Sequence, residues 1–71
     1  MNLDFYRNLG SKIKKRRKAI GLTQQQLADK ANISLNFMGK IEVAFSKPSL
    51  DTLIDLAEAL ETSVSDLTKF N

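Results

Sequence analysis

Apolar residues return along this 71-residue chain at steps of three, four and seven, and no strand-like alternation is sustained. Leu3, Tyr6, Leu9, Ile13 and Ile20 mark the inner stripe of a first predicted helix. Gly21 is suited to end it in the left-handed conformation. Thr23 predicts the cap of a second helix, with Gln26 completing a capping box. Leu22 and Leu27 stand at hydrophobic-staple positions around that cap. Leu27, Ala28 and Ala31 form the buried edge, and Asn32 follows where positive φ is tolerated.

The same grammar repeats at once. Ser34 is an N-cap, Ile33 and Met38 are its staple, and Met38 and Ile41 face inward. Only Asn32, Ile33 and Ser34 separate this third helix from the second, so the two meet through a sharp turn, a helix-turn-helix unit. Residues 45–48 read as a loop, with the sole proline fixing entry to a fourth helix. Ser49 caps that helix, and Leu50, Leu53, Ile54, Ala57 and Leu60 make its apolar stripe. Ser63 caps a short fifth helix carrying Val64, Leu67 and Phe70, with Asp66 supporting the cap. The expectation is an all-α protein, a compact five-helix bundle forming one domain over 1–71. Its helix-turn-helix core covers about 23–42, and helices four and five cover about 49–70.

Composition narrows the chemistry. The chain has no cysteine and no histidine, which excludes disulfides, thiolate chemistry and zinc sites built from those ligands. The imidazole base of most hydrolytic triads is missing too. Asp51, Asp55 and Glu58 follow one helix at steps of four and three, as solvent-facing charges do. No enzyme activity, cofactor or metal is therefore expected. No run of 18 apolar residues exists, and no apolar stretch lies behind the N-terminal charges. The expectation is a cytoplasmic protein with no membrane segment.

The charge distribution says more than its net value of +3. Residues 1–21 carry seven basic residues against Asp4, a balance of +6. Residues 22–71 carry four basic against seven acidic, a balance of −3. One end favours a polyanion, with nucleic acid the leading candidate over an acidic protein surface. The run from Lys12 to Lys18 holds Ile13 on the inner stripe, so it wraps a helix as a largely solvated basic face.

The motifs Gly21-Leu22-Thr23-Gln24, Leu27-Ala28, Ile33-Ser34, Met38, Lys40-Ile41-Glu42 and Pro48-Ser49-Leu50-Asp51-Thr52-Leu53 stand in one register, continued by Ala57 and Leu60. From about Ile13 to Leu67 the chain resembles the phage-repressor-like (Cro/CI, or Xre) helix-turn-helix family. The resemblance implies a lambda-repressor-like DNA-binding domain whose third helix lies in the major groove. It departs from the family pattern at Asn32, at Ala44 where a glycine is usual, and at Gly39 inside the third helix. If position 44 needs positive φ, alanine there costs on the order of 1 kcal/mol.

The third helix alone shows an outer face of mixed chemistry, Leu35, Asn36, Gly39 and Lys40, as base edges demand. Asn36 and Lys40 share a face one turn apart, and asparagine suits adenine as lysine suits guanine. With Leu35, near a thymine methyl, they are the candidate base contacts. Thr23 and Gln24, at the start of the second helix, are candidate phosphate contacts, where backbone N–H groups favour an anion. Gly39 is a further candidate through close approach of the DNA backbone. The resemblance adds Ser46 and Lys47, in a loop that the family lays against the DNA backbone. It also implies an Arg17–Glu42 pair tying helix one to the end of helix three, with a phosphate contact from Arg17 besides. Phe37 is assigned to the core.

Val64, Leu67 and Phe70 form either the last patch of the core or a dimer seam. Repressors of this type read two-fold operators, with half-sites about 34 Å apart, which favours the seam. The leading functional expectation is thus a sequence-specific regulator of transcription, a repressor or controller. It would bind double-stranded DNA as a homodimer, associated with the nucleoid of a prokaryote or a phage-infected cell. The alternative is an antitoxin- or antirepressor-like interaction module that keeps the fold and offers the C-terminal patch to a protein partner.

Overall fold

Four polar N-caps punctuate the chain, and each makes the bond its position predicts. In the computed structural model, which describes residues 3–70, Thr23 and Gln26 close a capping box. Ser34, Ser49 and Ser63 each accept the backbone N–H three residues ahead. These caps satisfy amides that the helix itself leaves unpaired. Five helices result: α1 (Leu3–Ala19), α2 (Gln24–Ala31), α3 (Leu35–Glu42), α4 (Leu50–Ala59) and α5 (Val64–Leu67). No strand occurs among the described residues. Gly21 and Asn32 take the left-handed conformation, at φ 79° and 59°, and so stop α1 and α2 where the pattern places the breaks.

The core gathers Leu9 and Ile13 of α1, Leu27, Ala28 and Ala31 of α2, and Met38 and Ile41 of α3. Leu53, Leu56 and Ala57 of α4 join them, with Leu60 and Leu67 closing the far end. α2 packs on both α3 and α4, α1 packs on α3, and the short α5 bridges α1 and α4. Phe37 lies half-buried against this cluster, as expected.

Two stripes differ from expectation. Leu3 is 52% exposed because α1, about 25 Å long at 1.5 Å per residue, outruns the helices it packs on. On α4, Leu50 and Ile54 are exposed while Leu56 is fully buried. Apolar residues occupy so much of α4 that its sequence permits two neighbouring stripes. Packing against α2 and α5 selects the one through Leu53, Leu56, Ala57 and Leu60.

The basic run also does more than solvate a face. Arg16 Nε and Nη2 donate to the carbonyls of Leu60 and Glu61 at 2.9 and 3.1 Å, capping the C-terminal end of α4. Lys12 Nζ reaches the carbonyl of Asp66 at 3.1 Å. Lys14, Lys15 and Lys18 stay exposed. No helix among the described residues is long and apolar enough to cross a membrane.

Candidate nucleic-acid interface

The site begins with one buried carboxylate. Glu42, the last residue of α3, accepts Arg17 Nε at 2.6 Å on Oε2 and Arg17 Nη2 at 3.1 Å on Oε1. The same Oε1 accepts Gln24 Nε2 at 2.9 Å. Arg17 Nη1 meanwhile donates to the carbonyl of Leu22 at 2.9 Å. The Arg17–Glu42 pair thus ties α1, the loop before α2, the start of α2 and the end of α3. The hydrogen bond to Glu42 raises the Arg17 pKa, burial opposes it, and the attraction of the carboxylate adds to the rise. No buried side-chain polar atom among the described residues lacks a partner, so the network is complete.

This geometry bears on two expected contacts. Arg17 is nearly buried and directs Nε and Nη2 to Glu42 and Nη1 to Leu22, the structural pairing that the resemblance implies. Gln24 is half-buried, with its side-chain amide turned toward Glu42; its place at the first turn of α2 is as expected. Thr23 remains exposed. Its oxygen accepts the Gln26 N–H at 3.1 Å, which leaves the hydroxyl proton available to donate.

From this frame α3 projects its outer face. Leu35, Asn36, Gly39 and Lys40 come together there with Val43 and Phe45 around an open depression of about 450 Å³. The acidic residues Asp55, Glu58 and Glu61 line a separate depression with Lys30. The end of α3 shapes the rim. Ala44 adopts φ 63°, so the Phe45 N–H returns to the Lys40 carbonyl at 2.8 Å and the Ala44 N–H to that of Ile41 at 3.1 Å. That double closure is a Schellman turn, usually made by glycine. It brings the Phe45 ring beneath Lys40, whose Nζ lies 5.5 Å from the ring centroid.

Val43 and Phe45 are not among the residues that sequence pattern singles out, although they are 72% and 77% exposed. A signal exists for the first: Val43 falls outside the inward spacing of Met38 and Ile41. Phe45 sits in a loop, where period says nothing about direction. Ser46 is half-buried, its N–H also on the Lys40 carbonyl, while Lys47 is exposed with Nζ 5.3 Å over the Tyr6 ring. At the C-terminal patch, Leu67 is a core residue, 2% exposed, and offers no surface to a dimer seam. Val64 and Phe70 are half-buried, with Phe70 edge-on to Phe5 at 5.4 Å.

With this arrangement in place, comparison with known proteins is decisive at the level of family. The helix-turn-helix family model matches residues 13–67. The chain belongs to the helix-turn-helix family. It is 43% identical over 60 residues to the cryptic phage CTXphi transcriptional repressor RstR of Vibrio cholerae, covering 79% of this chain and 54% of that protein. The immunity repressor protein of Bacillus phage phi105 is 47% identical over 57 residues, covering 80% and 40%. The chain therefore spans about half the length of the curated relatives it matches.

Among solved structures, it is similar to the restriction-modification controller protein C.AhdI from Aeromonas hydrophila. That likeness has a TM-score of 0.86 at 27% identity and covers 93% of this chain and 98% of that one. The P22 c2 repressor, solved in complex with a synthetic operator, matches with a TM-score of 0.82 at 27% identity over 89% and 96%. Both likenesses extend over nearly the whole helical bundle described above.

Proposed function

We propose that this helix-turn-helix chain is a DNA-binding regulator of transcription, of repressor or controller type, that reads a two-fold operator as a homodimer. The observation that carries the reading is the outer face of α3. It is held at both ends, by the Ser34 cap and the Glu42 network, and presents Leu35, Asn36 and Lys40 together to solvent. Such a face suits the major groove, where each base pair shows its own pattern of acceptors, donors and methyl groups. Thr23, Gln24, Ser46 and Lys47, at the two ends of the helix-turn-helix, contact the flanking phosphates. Gln24 does so through the backbone N–H at the start of α2, since its side chain serves Glu42.

The repressor and controller relatives support the same reading, and nothing in it calls on catalysis. The basic α1 adds attraction at long range. Two copies associate through the exposed parts of Val64 and Phe70.

The test is selection of bound sites from a random duplex library at near-physiological salt. An inverted repeat with half-sites one helical turn apart is the expected product. Log affinity for it falls linearly with log salt. Weak binding without sequence preference would overturn the reading.

A further inference from the structure

Gly39 lies inside α3, yet glycine is the poorest helix former after proline. Nothing internal requires it. Its φ is not positive, and a Cβ built there would meet nothing nearer than the Gln24 side-chain amide, at 3.9 Å. Gly10 makes the contrast: a Cβ on that residue would come within 2.5 Å of the Glu42 carbonyl oxygen. No contact within the described residues accounts for the missing side chain at Gly39.

What it leaves open is the floor of the depression on the outer face of α3. Leu35, Val43 and Phe45 supply apolar walls, and Asn36 and Lys40 supply the polar groups. Leu35, Val43 and Phe45 make the lining mostly apolar, which suits a methyl group better than a phosphate, whose oxygens call for several converging donors. In the major groove only thymine presents a methyl group, beside acceptors and donors that Lys40 and Asn36 match.

We propose that the depression over Gly39 seats the 5-methyl group of a thymine, and that Gly39, Val43 and Phe45 are specificity-determining residues of this chain. Gly39 then meets a base rather than the sugar-phosphate backbone. Phe45 acts twice, as a wall for the methyl group and as the ring that holds the Lys40 ammonium beside it. The inference rests on the operator-reading function proposed above.

The experiment uses the full chain and the duplex recovered by site selection, with each thymine replaced singly by deoxyuridine, which lacks only the methyl group. One position in each half-site is expected to weaken binding about fourfold, the equivalent of one buried carbon. Gly39→Ala is expected to weaken binding to the parent duplex about tenfold by filling the seat, to lose the uracil sensitivity, and to raise the melting temperature. Selective binding with every uracil duplex within about twofold of the parent overturns the methyl seat and leaves the operator reader standing. A Gly39→Ala chain that binds the parent duplex as tightly as wild type overturns it as well. Failure to select any sequence overturns the operator reading itself, and this inference with it.

Discussion

Arg17 Nε donates to Glu42 Oε2 at 2.6 Å across 25 positions of sequence, joining the last turn of α1 to the last residue of α3. Neither partner contributes much net stability once desolvation is counted, but each makes the other tolerable in the interior. Glu42→Gln should destabilise the fold by about 3–5 kcal/mol, because it leaves the Arg17 guanidinium buried without its anion. A domain of this size has about 4–11 kcal/mol in all, so urea unfolding should show a large shift in midpoint. A midpoint near wild type would mean that the pair is dispensable.

The same pair predicts an absence of pH dependence on the basic side. The folded Arg17 pKa is raised, so its contribution is fully present below the unfolded value and is lost only above the folded one. From neutral pH up to the guanidinium range, Glu42→Gln and wild type should therefore differ by a constant amount. Thermal melts at stepped alkaline pH would reveal any convergence.

Gly10 is a point of close approach between α1 and α3. A Cβ there would lie 2.5 Å from the Glu42 carbonyl oxygen and 2.6 Å from that of Ile41, both rigid backbone atoms. Gly10→Ala should cost about 1–3 kcal/mol despite alanine's better helix propensity. A stabilised variant, read by calorimetry, would refute the close approach.

Ala44 behaves in the opposite sense. It holds φ 63° in the turn that ends α3, a conformation that crowds its Cβ. Ala44→Gly should stabilise the fold by about 0.5–1 kcal/mol and keep the Phe45 N–H on the Lys40 carbonyl. A lower melting temperature would show that backbone entropy outweighs the relieved strain.

Lys40 carries the prediction that bears on function. Lys40→Ala should weaken binding to the selected operator by about 1–3 kcal/mol more than binding to random duplex. Folding should change little, since the ammonium contacts the exposed Phe45 ring. Equal loss on both duplexes, measured by gel shift, would reassign Lys40 to the DNA backbone.

Much of this molecule is written in local sequence. Thr23 with Gln26, and Ser34, Ser49 and Ser63, start helices because a side-chain oxygen finds an amide three residues on. Gly21 and Asn32 stop helices because they accept positive φ. Such signals act within one turn of backbone, so the five helices, the starts of the last four and the outward face of α3 are legible in the order of residues alone. The end of α5 is not: it stops at Leu67 and leaves Phe70, expected on the helix, beyond it.

Tertiary structure decided what depends on distance in space. It chose between two stripes on α4, because α2 and α5 can cover only one of them. It made Gly10 a contact point by bringing the Glu42 and Ile41 carbonyls against α1, and it turned Arg16 into a cap for the end of α4. It also moved Leu67 into the core and set the Phe45 ring under Lys40. Periodicity tells which side of a helix is apolar, but only the assembled bundle determines what that side meets and how near.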